Sequence, residues 1–276
     1  MTLSTVPLGT HAGNGILELT QITDTHLFAD KDGDLLGVPS WHSCRAVVDA
    51  MKEELTGCDA ILATGDLSQD QSAESYRHFV TMMAELAPPV FWLPGNHDEA
   101  PLMQEELDSA GISQGKHLLG EHWQVLLLDT QARGHTYGRL SEQQLALLDE
   151  AIDTYPNHHL LVAVHHQTVL VGCAWLDQHN LRNPEALQTR LARHRGSKVV
   201  LCGHVHQGFD QVQDGIRYLA SPSTCIQFKP LSDEFALDHT APGWRQLSLY
   251  PDGRLSTRVW RLPPDAFVPD FSARGY

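Results

Sequence analysis

The feature that most limits what this chain can become is a recurring unit: a short run of aliphatic and β-branched residues that breaks off into a polar motif. Such runs lie at 16–22, 60–64, 90–93, 125–128, 160–164 and 199–202, and each has the length of a buried strand. Between them, 43–55, 73–86, 101–110, 142–152 and 184–193 carry apolar residues at helical spacing, several opened by Ser or Asn and closed by Gly or Pro. Strands alternating with helices predict an α/β layered fold. After Cys202 the pattern shortens to alternating segments, 215–220 and a hairpin over 244–260 that turns at Pro251-Asp252-Gly253, so a second sheet is completed late. No repeat, low-complexity run or linker-like tract divides the chain. One domain over 1–276 is expected, with its core about 16–262 and a loosely held, Pro-rich tail at 263–276.

Five of the six runs end in a motif with ligand chemistry: Asp24-Thr25-His26, Gly65-Asp66, Gly95-Asn96-His97-Asp98, His165-His166 and Gly203-His204-Val205-His206. The carboxyl ends of strands in an α/β sheet are where loops can turn polar groups toward one crevice. Asp24 and His26 are two apart, as are His204 and His206, a spacing that in extended chain sends both side chains the same way. The set is carboxylate, amide oxygen and imidazole without thiolate, which suits Mn, Fe or Zn in an open catalytic site. The glycines before Asp66, Asn96 and His204 permit close approaches that a side chain would obstruct. Singly, each motif occurs by chance, and a lone histidine is more often an ordinary hydrogen-bonded residue than a ligand. Together and in order they supply seven candidate ligands, too many for one ion and about right for two.

The other histidines, including His42, His78, His117, His122, His158, His159 and His194, lie in helical or loop sequence and are expected to be solvated. Asp177, His179, Asn180 and Arg182 form a polar stretch after the fourth motif, equally readable as a solvated loop or as a flank of the site. The formal charge of -15 disfavours nucleic acid and anionic membranes as partners. Small phosphates remain compatible, because a bound cation dominates its local field. The five cysteines show no C-x-x-C spacing, and no uninterrupted apolar stretch is long enough to span a bilayer. A soluble, cytoplasmic protein with reduced thiols is expected, as a monomer or homodimer.

The order D-x-H, GD, GNHD, H, GHxH, spanning Asp24 to His206, resembles the signature of the calcineurin-like metallophosphoesterase superfamily. The resemblance implies an α/β/β/α sandwich of two mixed sheets flanked by helices, with a dinuclear centre at the strand carboxyl ends. It implies Asp24, His26, Asp66 and His206 on one metal, Asp66, Asn96, His165 and His204 on the other, and Asp66 as the bridge. The segments ITDTHLFA, LPGNHD and CAWLDQHNLRN further resemble the bacterial cyclic AMP phosphodiesterases of that superfamily. The activity so implied is hydrolysis of 3',5'-cyclic AMP to 5'-AMP, by a metal-bridged hydroxide attacking in line with the 3'-oxygen. His97 is the candidate proton donor to that oxygen, with Asp98 orienting it, and Asn96, His97, His166 and His206 are the candidate substrate contacts. Two departures stand out. Purple acid phosphatases carry a metal-bound tyrosine three residues after the second aspartate, where this chain has Gln69; this favours two divalent ions, Fe(II) or Mn(II), with Zn or mixed pairs also compatible. His165-His166-Gln167-Thr168 also lacks the proline often found there. A broader phosphodiesterase, phosphomonoesterase or nucleotidase on the same centre is the alternative reading, and a non-catalytic scaffold with this fold is a third.

Overall fold

The structure, a computed structural model, describes residues 3–275. Its first half contains strands β1 (Thr5–Pro7), β2 (Leu17–Ile22), β3 (Asp34–Leu35) and β4 (Val38–Pro39), helix α1 (Ser40–Glu54), β5 (Ala60–Ala63), α2 (Ala73–Met83), β6 (Val90–Trp92) and α3 (Ala100–Ser109). There follow β7 (His117–Leu119), β8 (Trp123–Leu127), α4 (Glu142–Thr154), β9 (His159–Ala163), α5 (Pro184–Arg193) and β10 (Lys198–Cys202). The chain closes with β11 (Phe209–Gln213), β12 (Ile216–Ala220), β13 (Gly243–Leu249) and β14 (Leu255–Arg261). Every apolar run read from the sequence is a strand. Every amphipathic stretch is a helix, with Ser72 and Ser141 accepting from the backbone N–H of Ser75 and Gln144 to cap α2 and α4, worth about 1 kcal/mol each.

The strands form a seven-stranded sheet, ordered β1-β7-β8-β9-β10-β12-β11, and a five-stranded sheet, β14-β13-β2-β5-β6. Both are mixed. Strands β8, β9, β10 and β12 run parallel in the first, as do β2, β5 and β6 in the second, while β11, β13 and β14 pair antiparallel. Parallel strands covered on both faces are near-continuously apolar, as in β5, β6, β9 and β10, whereas β2 keeps Thr20 and Gln21 buried among its apolar residues.

Side-chain alternation splits the core into three layers. Leu19, Leu62, Phe91, Val125, Leu161 and Leu201 fill the space between the two sheets. On the outer face of the five-stranded sheet, Ile22, Ile61 and Trp92 meet Val47, Phe79 and Met103 of α1, α2 and α3. On the outer face of the other, Leu126, Val162 and Val200 meet Leu148 of α4 and Leu187 of α5. This is the α/β/β/α arrangement.

The segment after Leu262 is largely exposed and touches the body at a few points: Phe267 lies against the outer apolar layers, the Asp270 N–H donates to Leu36 O at 2.7 Å, and Phe271 tilts against His239 at 4.0 Å. Two expectations are corrected. His117 is buried on β7, bonded through Nδ1 to Thr5 Oγ1 (2.9 Å) and through Nε2 to Gln124 (3.0 Å). His194 is buried at the end of α5. A three-residue strand such as β7 carries too little periodic signal to announce itself, so a histidine on one reads as a loop histidine. Among the described residues no helix is long and apolar enough to cross a membrane.

Candidate metal centre

Strands β2, β5, β6, β9 and β10 deliver their motifs to one edge, where the two sheets meet. The chain turns sharply there. Asp24, His26, Asp66, His204 and His206 all take left-handed backbone conformations, with φ of 53°, 46°, 51°, 64° and 50°. The D-x-H and H-x-H pairs therefore do not converge by extended alternation, as their spacing suggested; each ligand side chain is aimed by its own reversed turn. A non-glycine residue in this region costs about 1–3 kcal/mol and persists only where the surroundings over-determine it. Here the loops are tied to one another, with Asp24 N donating to Gly65 O (2.9 Å) and His26 N to Asp66 O (3.0 Å). Close approach is built in at Gly95, where a Cβ would overlap Asp66 Oδ1, and at Gly203, where it would overlap Thr23 Oγ1.

The hydrogen bonds around the rings fix which nitrogen carries the proton. His206 Nδ1 donates to Ile226 O (2.9 Å) and His26 Nδ1 to Gln69 Oε1 (2.7 Å), leaving Nε2 of each as a lone pair. Those two lone pairs face each other at 3.2 Å, and His206 Nε2 also lies 3.2 Å from Asp24 Oδ1. His165 Nδ1 donates to Thr64 O (2.8 Å), so its Nε2 confronts Asn96 Oδ1 at 3.2 Å and Asp66 Oδ2 at 3.1 Å. Acceptors crowded on acceptors, buried except at half-buried Asn96, repel one another unless a proton or a cation lies between them. Asp66 Oδ2 and His204 Nε2 are moreover buried without a hydrogen-bond partner. The residues thus fit a pair of metal ions. Asp66 lies between the clusters Asp24-His26-His206 and His165-His166-His204: its carboxylate groups closely with His26 and His97, and also with Asp24 and His165.

Electrostatics agree. Burial works against the charge on Asp66, yet the imidazoles of His165 and His97 hold its carboxyl well below the usual range. Burial likewise opposes the charge on His165, but the Asp66 carboxylate pushes it up to about 9. Burial takes His26 down to about 3, and burial with His166 and His165 alongside depresses His204. Buried carboxylates thus lie beside imidazoles that burial keeps neutral at His26 and His204, while the Asp66 carboxylate holds on His165 a proton that a bound cation would displace.

The remaining candidates separate by position. Asn96 and His97 are half-buried and, with His204, line a cavity of 290 Å³. The His97 ring stands edge-on to His26 at 5.1 Å, and its backbone N–H donates to Asp66 Oδ1 at 2.8 Å. Asp98 does not serve His97 as expected. Its carboxylate accepts from Leu67 N (3.0 Å), Ser68 N (3.1 Å), Gly95 N (2.8 Å) and the Tyr76 hydroxyl (3.3 Å). Four donors occupy both oxygens, so Asp98 braces the second and third motif loops against each other. Burial and the nearby Asp66 carboxylate push it up to about 7. His166 and His206 are fully buried and do not line the cavity, which places neither where a substrate would meet it; His166 holds Thr130 Oγ1 at 2.8 Å and packs on His204. Of the polar stretch, His179 lines the cavity, Asp177 accepts from Val171 N and Gly172 N, and Arg182 lies over Tyr137.

The sequence reading missed two features. Gln69 entered only as an absent tyrosine, whereas it orients His26. The cavity lining of Trp175 and Phe235 was given no role: Trp175 lies in CAWLDQHNLRN, read only as a resemblance, and Phe235 lies in no motif.

A family model for the calcineurin-like phosphoesterases matches residues 17–208. The chain is 49% identical over all 276 residues, and 99% of the relative, to the 3',5'-cyclic adenosine monophosphate phosphodiesterase CpdA of Escherichia coli K12. It is 43% identical to the protein of that name from Pseudomonas aeruginosa, over 97% of this chain and 98% of the relative. Among solved structures, a dimetal phosphatase from Danio rerio superposes with a TM-score of 0.61 over 89% of this chain and 98% of its own, at 17% identity, which shows a shared fold.

Proposed function

The chain belongs to the calcineurin-like phosphoesterases, and from that premise we propose that it is a metal-dependent phosphodiesterase that hydrolyses 3',5'-cyclic AMP to 5'-AMP. One observation carries the chemistry: two buried clusters of metal-ligating side chains, Asp24-His26-His206 and His165-His166-His204, adjoin each other with the Asp66 carboxylate close to members of both. The substrate follows from full-length similarity to cyclic AMP phosphodiesterases. Asp24, His26, Asp66 and His206 hold one ion, and Asp66, Asn96, His165 and His204 hold the other.

Two divalent cations there supply Lewis acidity to the phosphoryl oxygens and an activated water. The chain's own residues do the rest. Asn96 and His204 face the cavity, so the phosphate is met from their side, while Asp24, His26 and His206 stay wholly buried. Ring opening leaves a strongly basic 3'-oxygen. His97 lines the cavity beside Asn96 and gives that oxygen its proton, a contribution of about 10²–10⁴ in rate for general acids. Fe(II) or Mn(II) fits the donor set, since Gln69 brings no anionic oxygen and is bonded to His26. Free cysteines throughout suit a reducing, cytoplasmic setting.

The test is chelation followed by reloading. Activity on cyclic AMP should vanish and return with Mn(II) or Fe(II), with 5'-AMP as product and about two ions per chain. No turnover of cyclic AMP with any metal, alongside turnover of bis-p-nitrophenyl phosphate, would reassign the centre to another phosphodiester.

A further inference from the structure

We propose that the aromatic corner formed by Trp175 and Phe235 beside the metal centre holds the base of the cyclic nucleotide, and that the Thr136–His179 pair at its rim reads the base's edge. This rests on the cyclic AMP reading above. The metal centre can grip a phosphodiester, but nothing in it distinguishes a nucleotide from any other ester. Selectivity must come from the rest of the cavity. Beside Asn96, His97 and His204, the lining is Trp175, Leu176 and Phe235, with Thr136, His179 and Gly275. No carboxylate, lysine or arginine among the described residues lines it, so the group it takes is uncharged. Its 290 Å³ sits near the lower end of small-ligand pockets, about 300–1,000 Å³.

The wall's geometry favours a flat ring. Trp175 and Phe235 have centroids 5.1 Å apart with planes 64° from parallel, a corner in which a planar group lies against one face and meets the other ring edge-on. The corner is preorganised. Trp175 packs edge-on against buried Phe228 at 4.9 Å, and Phe228 stacks on ligand His206 at 4.3 Å and 17°. Its loop is held by Asp177 on Val171 N and Gly172 N, and by Ala174 N on Ser232 O (3.1 Å). At the rim, Thr136 Oγ1 and His179 Nδ1 bond at 2.7 Å, which fixes the imidazole where it can meet ring nitrogens or an exocyclic group.

The experiment compares Trp175→Ala, Trp175→Phe and His179→Ala, all metal-replete, on cyclic AMP, cyclic GMP and an abasic 3',5'-cyclic ribose phosphate. Loss of a stacked base at about 1–3 kcal/mol converts to about 5–150-fold. Trp175→Ala should raise KM for cyclic AMP by that factor, leave the abasic ester within about threefold of wild type, and keep its ions; Trp175→Phe should recover most of the loss. His179→Ala should shift the cyclic AMP to cyclic GMP ratio of kcat/KM by about fivefold or more. An equal fall on cyclic AMP and the abasic ester would show that Trp175 acts only through Phe228 and His206, and no fall on either would place the base elsewhere; both overturn the inference. An unchanged nucleotide ratio in His179→Ala overturns the edge reading. A wild type inactive on cyclic AMP but active on the abasic ester removes the function reading itself, and is told apart because the variants are then not needed.

Discussion

The two halves of the metal centre use similar ligands in different surroundings. Around Asp24, His26 and His206 every side chain is fully buried, both rings are held at Nδ1, by Gln69 and by Ile226 O, and Thr23 Oγ1 donates to Asp24 Oδ2 at 2.6 Å. Around Asn96, His165 and His204, only His165 is held comparably, by Thr64 O; Asn96 is half-buried and both Asn96 and His204 border the cavity. In the proposed assignment, one half is closed and the other borders the cavity. With similar ligands in both, what stands behind each ligand is what distinguishes them.

The largest blow to that division is a substitution that ignores it. Asp66 reaches both halves, so Asp66→Ala should empty both and abolish turnover, with metal analysis falling well below two ions per chain. His26→Ala and Asn96→Ala should each chiefly empty one half. Equal, full metal content in all three variants would refute the shared carboxylate.

His97 belongs to the open half without serving as a proposed ligand, so His97→Ala should keep its metals and lose about 10²–10⁴-fold in kcat on cyclic AMP. An ester leaving as p-nitrophenolate needs little protonation and should be hurt less. Equal losses on bis-p-nitrophenyl phosphate and cyclic AMP would recast His97 as a binder of phosphoryl charge.

The closed and open halves were unequally legible in the sequence. Asp66, His165 and His204 follow strands whose apolar runs are forced by burial on both faces, and Asp24 follows one whose leucines and isoleucine still mark it, so strand and motif could be read together. The left-handed turns at Asp24, His26, Asp66, His204 and His206 could not: nothing in a D-x-H string marks φ above zero on a non-glycine residue, because the tertiary ties of these loops, not local propensity, hold it there. Asp98 misled for a related reason, since adjacency to His97 does not reveal that Gly95, Leu67 and Ser68 claim its oxygens. Strands β1 and β7 were invisible because each is three residues long, and β11, an edge strand, because it is largely exposed and polar. The Trp175 wall depends on a loop folding back from the fourth motif, which is a fact of three dimensions only.

Gln69 offers a milder cut into the closed half alone. Gln69→Leu removes the acceptor that fixes His26, and losing such an outer partner typically costs about 10–100-fold in metal affinity or activity. Metal titration should show one weakened ion and one unchanged, with Gln69→Glu recovering affinity because its carboxylate can still accept from Nδ1. Uniform weakening of both ions would mean that the halves are not independent.

The smallest effect concerns what supports the open half from behind. Lys116 donates to Trp92 O at the end of β6, the strand that launches the Asn96 loop, and its ammonium sits 3.5 Å over the Trp92 ring. Burial brings it down to about 7, with only the Asp129 carboxylate working the other way. In the unfolded chain a lysine holds its proton to about 10.4. Between those values the unfolded state binds more protons than the folded one, so stability must rise as pH rises through that window, by roughly 3–5 kcal/mol in full. Buried Cys44, Cys202 and Cys225, pushed up in the folded state, oppose this above about pH 9 as the unfolded thiols ionise, but they do so in any variant that keeps them. The difference between wild type and Lys116→Met in denaturant titrations from pH 7 to 9 therefore isolates the lysine: the wild type should gain stability relative to the variant with each step up in pH. A difference that stays flat would mean that Lys116 keeps its charge in the fold, and that the Asn96 loop is backed by an ion pair with Asp129 instead of by a nearly neutral amine.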